Sequence, residues 1–167
     1  IIASLINAGA GNPSSGTIKI AKNIIGGVVV SSSLTTASFR GISFQASPTV
    51  YLLDSNTMNS ISSSSNITIR GIWSSSTSAS NTISNNLIYG FVNTSTGTSG
   101  QLEGVYTQGT GNFTISGNSI YNLQSASRNV TSIPTIFGIE IASTGTSNII
   151  EKNTIYALRA TDNNASA

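Results

Sequence analysis

The sequence predicts an all-β solenoid of about five coils, and two observations carry that expectation. The first is a spaced motif, apolar-x-x-Asn-x-apolar with a further apolar residue three places on, which occurs five times. The second is a glycine series that keeps step with it.

The five copies are Ile20/Asn23/Ile25/Val28, Leu53/Asn56/Met58/Ile61, Ile83/Asn86/Ile88/Phe91, Ile115/Asn118/Ile120/Leu123 and Ile150/Asn153/Ile155/Leu158. Their first positions step by 33, 30, 32 and 35 residues, a repeat of 30–35. Gly41, Gly71, Gly104 and Gly138 precede the next first position by 12, 12, 11 and 12 residues. Each glycine has an apolar side chain at −2 (Phe39, Ile69, Leu102, Ile136) and at +1 (Ile42, Ile72, Val105, Ile139). Two series in step define a structural period.

Each period holds two short apolar-polar patterns rich in Ile, separated by Ser, Thr, Asn and Gly. It lacks the long 3.6-residue periodicity and the Ala, Leu, Glu and Lys content of helical repeats. The unit is a coil of short strands. Stacking coils in register sets each strand about 4.8 Å from its counterpart, which makes parallel sheets around a bore of Ile, Leu, Val and Phe. Insertions of variable length fall at the corners, and residues 1–167 read as one domain.

Composition fits that architecture. A chain of 167 residues with 38% hydrophobic content supports one core. Only 7% is charged, against roughly 25% in an average domain, so solubility comes from short neutral side chains that suit turns and strand faces. The net charge of +2 is spread over single residues, which leaves no footprint for nucleic acid. No apolar run reaches the roughly 18 residues of a membrane span, and no signal-peptide pattern opens the chain. The start at Ile1 without Met predicts a processed product or a piece of a longer chain. Without Cys there are no disulfides, and without His the commonest general base and transition-metal ligand are missing.

The wording NFTISGNSIYNL at 112–123 resembles the parallel β-helix repeats of the pectin-lyase-like superfamily, and in particular those of large secreted or surface proteins of Bacteroidetes-type bacteria. The resemblance runs over about 18–158. It implies a right-handed parallel β-helix, in line with the general crossover preference, and an extracellular or cell-surface location. Enzymes, adhesins and filaments share this signature. Rungs in that family are commonly shorter, so long corner loops are expected here, at 92–101 and 124–135 for example.

Stacked coils turn the alignment into columns. Asn23, Asn56, Asn86, Asn118 and Asn153 form one, read as a structural ladder whose amides bond along the column and to turn backbone. Tyr89, Tyr121 and Tyr156 form another, with Gly26 and Asn59 in the earlier copies. Mutual packing at roughly 0.5–1.5 kcal/mol per aromatic pair is the main reading, and a sugar-stacking strip the other. Two places after the glycine stand Ser43, Trp73, Tyr106 and Glu140, a second carbohydrate-stacking candidate through Trp73 and Tyr106. Immediately before it stand Arg40, Arg70, Glu103 and Phe137, which makes Arg70 and Glu103 a surface ion pair of roughly 0–1 kcal/mol.

Catalysis is not expected. Pectate lyases, to which the resemblance leads, need an acidic cluster for calcium and an Arg or Lys base. The five acids here, Asp54, Glu103, Glu140, Glu151 and Asp162, fall on separate rungs and faces. Asp54 and Glu151 share a column three layers apart, roughly 14 Å, too far for a glycosidase pair. GAGNPSSG at 9–16 lacks the Lys-Ser/Thr ending and helix of a phosphate loop. Sequons at Asn66, Asn93, Asn112, Asn129 and Asn164 are expected from composition alone. No cofactor or metal is implied.

The resulting expectation is a structural extracellular protein, a rod segment or subunit of a cell-surface filament, stalk or adhesin. Its partners are then copies of itself stacked end to end or neighbouring repeats of a longer chain. The alternative is a carbohydrate-binding or polysaccharide-processing β-helix domain. The apolar, strand-like IIASLIN and the polar TDNNASA offer no solenoid cap.

Overall fold

Runs in which β-branched and aromatic residues alternate with Ser, Thr and Asn fit a pleated, half-buried surface. In the computed structural model, which describes residues 2–9, 16–33, 37–45, 50–128 and 135–161, these runs form fifteen strands and no helix. Asp162, the sequons at Asn129 and Asn164 and most of GAGNPSSG lie outside the described residues.

The first layer is β1 (Ile2–Ala8), β2 (Thr17–Ala21) and β3 (Ile24–Val30). The second is β4 (Ser38–Gln45), β5 (Val50–Asp54) and β6 (Thr57–Ser63), and the third β7 (Thr68–Ser75), β8 (Ser80–Ser84) and β9 (Leu87–Asn93). The fourth is β10 (Leu102–Gly109), β11 (Phe113–Ser116) and β12 (Ser119–Ser125), and the fifth β13 (Ile136–Ser143), β14 (Ile149–Glu151) and β15 (Thr154–Ala160). Each strand pairs in parallel with its counterparts above and below, giving three five-stranded sheets: β1-β4-β7-β10-β13, β2-β5-β8-β11-β14 and β3-β6-β9-β12-β15. Five stacked strands are separated by four steps, so the solenoid makes about four turns where about five coils were expected.

The register matches the sequence columns. Ile20, Leu53, Ile83, Ile115 and Ile150 pair in succession, as do Ile25, Met58, Ile88, Ile120 and Ile155. Each period holds three strands and not two, because the Asn motif bends the chain between the second and third sheets. The inner layers of the bore are fully closed: Leu53, Met58, Ile61, Ile83, Ile88, Phe91, Ile115, Ile120 and Leu123 are each 0% exposed. Tyr51 joins them, its ring 3.9 Å from that of Phe44 and its hydroxyl bonded to Ser74. Burial pushes the Tyr51 hydroxyl pKa far up, so Tyr51 stays neutral.

Two backbone devices bend the sheets inward. In the first sheet Phe39 and Ile42 both face the core although three residues apart, and the ladder skips the glycine between them. That is a kink. A Cβ on Gly71 would stand 2.6 Å from the Gly104 carbonyl oxygen and 3.1 Å from Ile88, so the glycine column admits the next layer's backbone and the opposite wall's side chain together. In the third sheet the same bend is made by a left-handed residue in every layer: Gly27, Ser60, Gly90, Asn122 and Ala157, with φ of 67°, 51°, 68°, 54° and 54°.

These two devices are separable by substitution. Gly71→Ala forces a Cβ onto backbone and is expected to cost about 3 kcal/mol, the upper end of overpacking. Gly90→Ala meets only strain, since its nearest neighbour is Ser60 N at 3.6 Å, and is expected to cost about 1 kcal/mol. Urea titration of both variants measures the difference; equal costs would contradict the close-approach account.

Candidate functional site

The corner between the second and third sheets is built from the residue before each ladder asparagine. Lys22, Ser55, Asn85, Gly117 and Lys152 all adopt left-handed φ, from 54° to 66°. The carbonyls of Ile20, Leu53, Ile83 and Ile115 border this corner, and each already accepts a strand N–H from the layer above in the parallel ladder. The asparagine column adds a second donor from that same layer. Asn56, Asn86, Asn118 and Asn153 donate through Nδ2 to those four oxygens at 2.8–3.0 Å. Each step upward adds two more bonds, because the backbone N–H and the Nδ2 of one asparagine both donate to Oδ1 of the next. For Asn86 to Asn118 both distances are 2.9 Å, and the Asn23, Asn56 and Asn118 steps repeat the pattern at 2.9–3.2 Å.

This ladder is directional. From Asn23 to Asn118 the backbone N–H and one Nδ2 hydrogen donate to the layer above, and from Asn56 to Asn153 each Oδ1 accepts from the layer below. Among the described residues, the chain ends therefore differ in kind: Asn153 has a backbone N–H and one Nδ2 hydrogen with no acceptor, while Asn23 has an Oδ1 with no donor.

The tyrosine column stacks on itself. Tyr89 and Tyr121 lie 5.1 Å apart at 8°, and Tyr121 and Tyr156 lie 4.9 Å apart at 7°. Ring faces that a pyranose would need are occupied by one another, and the outer face of Tyr156, a residue 51% exposed, is the free one. Beside the stack an open depression of about 420 Å³ is lined by Gly90, Val92, Asn122, Gln124, Ala157 and Arg159, among others.

The first sheet's outer face gathers the other candidates. Trp73 is 4% exposed, with the Arg40 guanidinium 3.6 Å above its ring, and Arg70 lies 4.4 Å over Tyr106. These cation–π contacts cover the rings. Arg70 meets Glu103 in a two-pronged pair, Nε to Oε2 at 2.5 Å and Nη2 to Oε1 at 3.0 Å. The expected surface pair is corrected here: the Glu103 side chain is 1% exposed, set in its column between Arg70 of the layer below and Phe137 of the layer above. Burial raises the Glu103 carboxyl above the usual range, against the pull of Arg70. Burial, reinforced by neighbouring Arg70, lowers Arg40.

The remaining acids stay apart. Asp54 accepts from Asn85, Ser84 and Ser55 at 2.9–3.0 Å, and the bond from Asn85 above all holds its carboxyl below the usual range. Two intervening layers, at Ser84 and Ser116, separate it from Glu151 in the ladder. Among the described residues no three His, Cys, Asp or Glu side chains group as metal ligands, and no helix is long and apolar enough to cross a membrane.

The last layer is the most exposed apolar surface of the bore. Ile150, Ile155 and Leu158 are 55%, 42% and 37% exposed, whereas their partners one layer down are closed. A depression of about 330 Å³ lined by Thr135, Ile136, Leu158 and Ala160 opens there. The sequence columns named every one of these bore positions; the directionality of the asparagine ends was not visible in them, since residue type does not reveal which amide atom points which way.

The internal ladder is expected to carry far more stability than its ends. Asn86→Ala leaves the Asn56 N–H and Nδ2 buried without their acceptor and removes the second donor to the Leu53 carbonyl, and should cost about 2–4 kcal/mol. Asn153→Ala, at the half-buried end, should cost about 1 kcal/mol. Equal effects in denaturant titrations would contradict the ladder's role.

Arg70→Ala leaves the Glu103 carboxylate buried without its partner, an expected loss of about 3–5 kcal/mol at neutral pH. The folded-state pKa of Glu103 is raised, so the folded protein binds its proton more tightly than the unfolded chain, and stability from this group falls as pH rises through the folded pKa. The variant raises that pKa further. Its deficit should therefore shrink as pH is lowered toward about 4, and a deficit independent of pH would contradict the buried pair.

Comparison of the chain with protein-family models, with curated proteins and with solved structures gives no match, so the functional reading rests on the geometry above.

Proposed function

We propose that this chain is a structural segment of an extracellular β-helical rod, a piece or subunit of a cell-surface filament, stalk or adhesin, in which each end face receives a further β-coil. The observation that carries the reading is the last layer: apolar bore columns at Ile150, Ile155 and Leu158 open to solvent above edge strands. Open edges and exposed bore side chains are what a solenoid hides under a cap or under its next repeat. The repeated spacing of a stacking unit, and not a convergence of reactive side chains, organises the polar residues. The placement outside the cell follows from the resemblance to secreted and surface β-helix repeats.

The carbohydrate-binding reading draws on the free face of Tyr156 and the depression beside it. A further layer would cover that same face. The two readings thus compete for one surface, and the rod reading also accounts for the bore columns.

A tandem fusion tests it. If two copies are joined without a linker, Ala3 of the second follows Ile136 of the first by 34 residues, within the native 30–35 repeat and in the same column. The expected outcome is one continuous rod of about 48 Å, at roughly 4.8 Å for each of ten layers, unfolding in a single transition above that of the single chain. Two beads that each unfold like the single chain would overturn the reading.

A further inference from the structure

Resting on the rod reading, we propose that the coil received by each end face is supplied by a second copy of this chain, joined head to tail through the asparagine ladder. The donors left over at Asn153 and the acceptor left over at Asn23 are the two halves of one ladder step. If the first layer of a second copy sits on the fifth, Oδ1 of its Asn23 takes the place that Asn153 Oδ1 occupies above Asn118, accepting there at 3.0 Å from N–H and 2.9 Å from Nδ2. The same two donors on Asn153 then find their acceptor. An inverted copy would bring donors to donors or acceptor to acceptor, so the junction is heterologous, repeats without closing and builds an open, polar fibre.

The remaining columns agree with that docking. Ile150 meets Ile20, Ile155 meets Ile25 and Leu158 meets Val28 of the second copy, apolar on apolar in each case, and the edge strands β13, β14 and β15 continue in parallel onto the second copy's β1, β2 and β3. The corner column brings Lys152 over Lys22 of the second copy. Glu151, 3.6 Å from Lys152, lies beside them as the counter-charge.

Two variants block opposite ends. Asn153→Asp keeps the oxygen that accepts from Asn118 and replaces Nδ2 with a carboxylate oxygen that faces both Asn23 of the second copy and, within the chain, the Ile115 carbonyl, so it blocks the junction at some cost to the fifth layer. Asn23→Leu removes the acceptor at the other end. With the full chain in sedimentation velocity and electron microscopy, wild type should form linear assemblies as concentration rises. Each variant should need about tenfold more protein or remain monomeric, with an unchanged circular dichroism spectrum as the check of folding. Mixed one to one, the variants retain a single competent junction between them and should stop at dimers. A wild type that stays monomeric, variants that assemble like wild type, or a mixture that forms neither dimers nor anything larger would overturn the inference. A monomeric wild type together with a continuous tandem rod would remove self-assembly and leave the rod reading standing, whereas beads in the tandem would remove both.

Discussion

The structure depends on one constraint: a left-handed corner turn, repeated in every layer, points the backbone N–H of the following asparagine at the layer above, where its acceptor is a side-chain oxygen. A buried N–H without an acceptor is costly. A short side-chain amide one layer up can accept that N–H through Oδ1 and still donate through Nδ2 to a carbonyl of the layer below, which is why one asparagine per coil suffices and why it recurs at the same place. Gln would overshoot the corner, and Asp, lacking the donor, would oppose the carbonyl. Once this corner is fixed in register, the strands on either side of it are fixed too, because a slip of one residue would turn the whole bore outward.

The bore and the glycine kink follow from that register. Ile88 fits against the first sheet only because Gly71 offers no side chain, and the Gly71 backbone in turn lies against the Gly104 carbonyl. The packing of opposite walls and the stacking of successive layers therefore meet at the same positions, so a change there disturbs both at once.

Features dictated by unique chemistry were legible in the sequence. Asn23 through Asn153 and Gly41 through Gly138 stood out because few residues can replace an amide in a buried ladder or a missing Cβ at a close approach. The left-handed corner was not legible, since Lys22, Ser55, Asn85, Gly117 and Lys152 share the conformation without sharing a residue type; the ladder's bonds outweigh the modest strain of each. The column of Gly27, Gly90 and Asn122 did carry a signal in residues that tolerate positive φ. The pairing of Arg70 with Glu103 followed from the register. Its burial did not, because side-chain direction, like that which lays Arg40 over Trp73 and Arg70 over Tyr106, is left open by spacing. Tyr51 was hidden in the same way, as an aromatic filling the bore beside Phe44.

A ladder with a direction gives the molecule two unlike ends, and this links the fold to its proposed use as a rod. The most direct measurement is hydrogen exchange of the ladder backbone amides, resolved by nuclear magnetic resonance in dilute solution. The account predicts that the amides of Asn23, Asn56, Asn86 and Asn118, each bonded to the Oδ1 above, exchange slowly, with the three inner layers slowest, while the Asn153 amide exchanges fast. Fast exchange at Asn56, Asn86 and Asn118 would contradict it, because the corner would then be held by something other than the ladder.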